Sequence, residues 1–334
     1  RVFVPLRAAP AMKKVLTDPF LLALVGVVVL AVLWPEPGRS GGFLHLEAVS
    51  TYGVAVVFFL YGLTLAPEKM KAGLLHWRLH LVVVFGTFVL FPLITLATQA
   101  MAQPLLPAAV WTGFFYVAAL PSTVSSSVAM TSLAKGNVPA ALFNASLSSL
   151  IGVFATPALM AWYLSRTGGP ALPIGDVILK IVMLVLVPTV IGQILHRPLA
   201  RWSARHGRAI KILDRAVILS IVYNSFANSV VGGLWREHDP ALLGEIALLS
   251  VVLFFVVYGI LAVPCRLLGF DRADRIAALF CGSKKSLASG VPLAGVIFGV
   301  TPELGLIIAP IMIYHFLQLV IVSIIANHHG QKAA

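Results

Sequence analysis

The sequence predicts an all-α polytopic membrane protein: ten transmembrane helices in two inverted five-helix repeats, with the fourth and ninth helices broken. Three observations carry this. The 334-residue chain is 59% hydrophobic and only 11% charged, whereas a soluble chain needs about 25% charged residues to cover its surface. Ten apolar runs follow one another with short connections, leaving no room for a large soluble domain. A polar interruption falls in the same place in each half of the chain.

The first run, about 19–34, begins at Asp18-Pro19, an N-cap followed by proline at the first helical position. Runs at about 48–66 and 79–102 follow, then the interrupted fourth at about 107–134. Asn137 and Pro139 start the fifth, about 139–164, in the manner of the first. Thr167, Gly168, Gly169 and Pro170 separate the halves, so repeat one covers about 17–166 and repeat two about 172–328 of a single 1–334 membrane domain. The second half holds runs at about 174–196, 212–234, 241–265 (opened by Asp239-Pro240), 274–300 (the interrupted ninth) and 304–327. Trp34, Trp111, Trp162 and Trp235 lie near run ends and read as interfacial anchors. Residues 1–14 are basic but lack the apolar stretch and cleavage site of a signal peptide. Cys265 and Cys281 have no CxxC spacing, so no disulfide framework or zinc site is implied.

The net charge of +12 is a topology signal and does not mark nucleic-acid binding. With a cytoplasmic N-terminus, eighteen of the 24 Lys and Arg residues fall on inner segments. Only Arg39, Arg166 and Arg236 fall outside, while Lys180, Lys284 and Lys285 lie within runs. Ten spans with both termini cytoplasmic, in the inner or plasma membrane, satisfy the positive-inside rule. The basic stretch 196–215 reads as an anchor on anionic headgroups, with a regulatory lipid site as the alternative.

Five spans per half place the halves in opposite orientations. The fourth run is interrupted by Pro121, Ser122, Thr123, Ser125, Ser126 and Ser127, the ninth by Gly282, Ser283, Lys284, Lys285 and Ser286. Paired interruptions in inverted halves point to a secondary transporter's binding site. Backbone freed at the breaks must be buried or line a wet cavity. Half-helix N-termini and two lysines make the place electropositive, so the expected ligand is an anion. The plainer readings are small-residue helix packing for the serines and snorkelling for the lysines. Asn224 and Asn228, four apart on the seventh run, either line the cavity or hydrogen-bond between helices. His315 on the tenth is a further ligand candidate.

With these motifs the chain resembles the bile acid:sodium symporter family over nearly its whole length, most closely over 121–157 and 270–290. The resemblance implies that helices 4 and 9 cross in a core of helices 3–5 and 8–10, against a panel of helices 1, 2, 6 and 7, with alternating access. It implies a small organic anion as substrate, the lipid bilayer as partner, no cofactor, and Na+ as coupling ion. The ligand carry-over is mixed. The family's sodium-site serine matches Ser127, but its asparagine becomes Val128 and its helix-5 hydroxyls fall on Ala141 and Ala145, beside Asn144. Its helix-9 glutamate becomes Phe280, the following Gln-Asn pair becomes Lys284-Lys285, its helix-3 glutamine becomes Thr87, and its His-Asn pair becomes His315-Phe316. None of the twelve acids lies in an interruption. The expectation is therefore that Lys284 or Lys285 replaces one sodium, leaving H+ coupling or none as the alternative to Na+. Substrate binding is expected at Ser283, Lys284, Lys285, His315, Asn224 and Asn228. Ion coupling is expected at Thr87, Thr123, Ser125, Ser126, Ser127 and Asn144.

Three rivals were weighed. A Ser127–Lys285 hydrolase lacks an acid partner and leaves the repeat unexplained. A cation/proton antiporter-like exchanger expects a midplane aspartate, absent here. An ion channel or a non-transporting regulatory membrane protein is the third.

Overall fold

Helices start and stop where local chemistry dictates. The computed structural model describes residues 17, 19–64, 76–167, 179–180, 182–233, 241–299 and 301–332. Pro19 opens α1 (Pro19–Leu33), and a loop leads to α2 (Leu46–Thr64). α3 (Trp77–Leu105) contains a π-helical turn at Gly86–Leu90, just before Pro92. α4 (Ala108–Ala119) ends because Pro121 forces Leu120 into extended backbone, φ −72° and ψ 152°. α5 (Ser125–Leu133) and α6 (Val138–Thr167) complete the first half.

In the second half α7 (Val182–Ile194) bends by 89° into α8 (His196–Arg205), and α9 (Gly207–Val231) and α10 (Ala241–Leu267) follow. α8 puts Arg197, Arg201 and Arg205 beside an exposed Trp202, the composition of an interfacial helix. Asp271 caps α11 (Arg272–Gly282) by accepting from Asp274 N–H at 2.7 Å. Ser286 caps α12 (Leu287–Phe298), accepting from Ser289 N–H at 3.3 Å, and α13 (Leu304–Lys332) closes the chain.

Among the described residues all regular structure is helical, and five helices are long and apolar enough to cross a membrane, or six if the bent α7–α8 pair counts as one span. The fourth and ninth runs are each two helices, of 12 and 9 and of 11 and 12 residues, too short to cross singly. α9 begins with Lys211, Asp214 and Arg215, which lowers its apolar character. Trp111, expected as an interfacial anchor, is buried (1% exposed), and its indole N–H donates to Gln103 O at 3.2 Å. Trp34 and Trp162 are exposed; Trp235 lies outside the described residues.

The helices pack in two groups. α1, α2, α7, α8 and α9 contact one another, and so do α3–α6 with α10–α13. α2 meets α12, and α9 meets α12 and α13, where the groups touch. α2 and α7 cross through Gly62 and Gly192: a Cβ on either would collide with backbone of the other helix, at Thr189 O and Phe59 O. Small residues are what allow such closeness without a hydrophobic drive between helices. The two halves are tied directly at their breaks, where Ser286 N–H donates to Pro121 O at 2.9 Å.

Candidate functional site

The break after α4 leaves carbonyls without helical partners, and the chain satisfies each one. Leu120 N–H reaches Tyr116 O and Val117 O, both at 3.2 Å. Thr156 Oγ1 donates to Ala119 O at 2.7 Å, Ser286 N–H to Pro121 O, and Ser148 Oγ accepts from Ser122 N–H at 2.9 Å. Ala118 O and Leu120 O remain, and both accept from Lys285 Nζ, at 2.7 and 2.8 Å.

The third acceptor of that ammonium comes from α3. In the π turn, Phe91 N–H reaches back five residues to Gly86 O. The same pattern would pair Thr87 O with the N–H of residue 92, and Pro92 has none. Thr87 O instead accepts from Lys285 Nζ at 2.8 Å. A protonated lysine has three N–H donors, so all are used. The Phe91 ring completes the shell, its centroid 4.2 Å from Nζ.

α13 fixes the backbone of the second break. Gln318 Oε1 accepts from Lys285 N–H, and its Nε2 donates to Lys285 O, both at 2.7 Å. Tyr314 OH donates to Ser283 O at 2.8 Å, and Ser283 Oγ to Leu279 O at 2.6 Å. Across the crossing, Tyr116 OH donates to Gly290 O at 2.6 Å.

Lys284 is the opposite case. It is fully buried, and its Nζ has no hydrogen-bond partner among the described residues. Cys281 is near both Lys284 and Ser127, and its thiol lies 3.5 Å from Ala141 O.

A cavity of about 1110 Å³ lies between the two helix groups. Val57, Leu60 and Ile218 supply an apolar wall, and Thr123, Ser126, Ser286 and Ser289 bring the two breaks to the other. The N-termini of α5 and α12 both meet this space, which favours negative charge there. Ser289 Oγ, Ser323 Oγ and Asn327 Nδ2 line it and lack partners among the described residues. Lys211 is exposed at the edge of this space, Asp214 and Arg215 are half-buried, and the Arg215 guanidinium sits 5.0 Å over the Phe20 ring. Groups of three or more metal-ligating side chains are absent among the described residues.

Of the residues expected to bind substrate, His315 lines the cavity. Ser283, Lys284 and Lys285 are buried behind it. Asn224 Nδ2 donates to Gly38 O at 2.8 Å, and Asn228 accepts from Ser40 N–H at 2.9 Å, placing both against the α1–α2 loop, outside the cavity lining. Of those expected at an ion site, Thr123, Ser126 and Ser127 form one hydroxyl cluster, with Thr123 Oγ1 at 2.7 Å from Ser126 Oγ and 3.1 Å from Ser127 Oγ. Ser125 opens α5, and its side chain lies outside the described set. Asn144 is held elsewhere, by His80 at 3.1 Å and by Ala140 O at 2.9 Å. Thr87 contributes its carbonyl to the Lys285 cage, while its hydroxyl has no partner. The Ser127–Lys285 dyad does not form, because Lys285 spends all its donors on carbonyls.

A family model, that of the SBF-like CPA transporter family, matches residues 18–331. The chain belongs to this family. It is 41% identical over 322 residues to Uncharacterized protein PA2026 of Pseudomonas aeruginosa, covering 96% of this chain and 95% of that one. It is 31% identical to Sodium/bile acid cotransporter 7 of Danio rerio (93% of each chain) and of Mus musculus (92% and 90%). As a member of the SBF-like CPA transporter family it is an integral membrane transporter of the bile acid:sodium symporter-like kind and not an enzyme; it works in a lipid bilayer on a small-molecule substrate.

Sequence reasoning missed Gln318 as the clamp on Lys285, and Tyr314, Tyr116 and Phe91 as supports. Each is a lone polar or aromatic side chain in an apolar run, and only its partner gives it meaning. Pro92 was the available signal: a proline inside a span frees a carbonyl that some donor must satisfy.

Proposed function

We propose that this chain is a secondary active transporter of amphipathic organic anions, bile-acid-like or other amphipathic carboxylates and sulfates. The cavity between the two helix groups is the observation that carries this reading. Its volume suits a steroid-sized ligand, since small-molecule pockets run from about 300 to 1,000 Å³. One wall is apolar, the other holds hydroxyls and two helix N-termini, and basic residues stand at the solvent side. An amphipathic anion matches all three. The names of the relatives, which join sodium and bile acid, support the substrate class.

Transport then proceeds by alternating access, with α1, α2 and α7–α9 as panel and α3–α6 and α10–α13 as core. Counting α4–α5 and α11–α12 as one broken span each, and α8 as lying at the membrane surface, gives ten spans in two inverted repeats, with both termini cytoplasmic in the inner or plasma membrane. The Thr123–Ser126–Ser127 hydroxyls are where a coupling Na+ would sit, with H+ as the alternative driving ion.

The test is uptake of labelled organic anions into proteoliposomes, run with a sodium gradient, a proton gradient or neither. Saturable uptake of an amphipathic anion, competed by its unlabelled form, is expected. Cation flux with no anion uptake would overturn the assignment.

A further inference from the structure

We propose that the Lys285 ammonium is a built-in cation, filling a carbonyl site that a free monovalent cation from solution would otherwise occupy. The inference rests on the transporter reading above for its role in the cycle, but its geometry stands alone.

The site exists independently of the lysine. Thr87 O is orphaned by Pro92, and Ala118 O and Leu120 O by the break at Pro121. They come from two helices and converge on one point, each within 2.8 Å of it. The Phe91 ring face closes the fourth side. Inward-pointing carbonyls from broken backbone are how membrane proteins coordinate unhydrated monovalent cations. A buried cluster of three unsatisfied carbonyls is costly, and a cation satisfies all three at once. The chain supplies that charge itself, on a stem fixed at its base by Gln318.

A tethered cation is not lost to solution. Here it joins the α4 end to the α3 turn, and this position draws no ion from solution. If Na+ or H+ drives transport, it acts elsewhere, and Lys284 and the Ser127 cluster are the candidates at the crossing.

The experiment is chemical rescue. Lys285→Ala removes three carbons and the nitrogen, which propylammonium replaces. Purified wild type and variant are heated in choline chloride, with Na+, K+ or propylammonium titrated in, and anion uptake is measured in the same salts. Wild type should show no cation effect that depends on residue 285. The variant should lose at least about tenfold in uptake, the scale of a lost charged hydrogen bond, and recover both its unfolding midpoint and its uptake with propylammonium or K+. Lys285→Gly with butylammonium guards against a packing defect peculiar to alanine. If neither variant responds to any cation in yield, midpoint or uptake, the proposal falls. A saturable Na+ stabilisation of wild type that vanishes on changing Lys285 also overturns it. Cation rescue of the midpoint in a protein that moves no anion would leave this proposal standing and remove the transport reading instead.

Discussion

Replacing Lys284 by methionine is expected to stabilise the protein, while the same change one residue later destabilises it. Both side chains are fully buried. Lys284 Nζ has no partner, and among the described residues no ion pair involves it. A buried unpaired ammonium carries a desolvation penalty of several kcal/mol. Methionine keeps an unbranched stem of similar length and fills irregular gaps well. A gain of about 2 kcal/mol, the low end of that penalty, follows for Lys284→Met. Lys285→Met instead strands three carbonyls, at about 1–3 kcal/mol each, for a loss of about 3–9 kcal/mol. Reversible unfolding of the two variants in one detergent measures the difference. Equal losses at both positions would refute the reasoning, because they would require Lys284 to hold a structural partner. A stable Lys284→Met that fails to transport would place Lys284 in function, since a group kept against its own stability cost is kept for activity.

Three further outcomes are expected. Gln318→Leu leaves both backbone groups of Lys285 unpaired and should lower stability by about 2–4 kcal/mol, read by the same unfolding assay. Gly62→Val drives a branched side chain into the Thr189 carbonyl and should abolish monodisperse folded protein on size-exclusion chromatography, whereas Gly244→Val, which meets open space, should not. Lys211→Glu reverses charge on the solvent side of the cavity and should raise KM for an anion about five- to tenfold at low salt, with the effect shrinking in 0.5 M salt.

The membrane class and the two interruptions were legible because hydropathy and proline act locally. Pro121 and the Gly282–Lys285 block marked the breaks before any packing was known. The meaning of the polar residues was not legible. Asn224 and Asn228 share a helix face, as their spacing says, but which neighbour that face meets is a tertiary fact, and the neighbour is the loop at Gly38 and Ser40. The adjacent lysines look equivalent in sequence. They part ways because the non-helical backbone between α11 and α12 turns successive side chains to different surroundings, one to the Thr87, Ala118 and Leu120 carbonyls and one toward Cys281. Trp111 was misread because a short helix at a break lies inside the protein, where a tryptophan near a run end is no longer near lipid.

The right-angle turn at Leu195 has a consequence for how the surrounding lipid enters the cycle. α8 carries Arg197, Arg201 and Arg205 nearly at a right angle to α7, and only His206 separates it from Gly207 on the cavity wall. A change in the position of α8 on binding anionic lipid would therefore reach the cavity lining through one residue. Anion affinities measured in neutral detergent and in anionic vesicles are expected to differ for that reason, and equal affinities would show that α8 is uncoupled from the cavity.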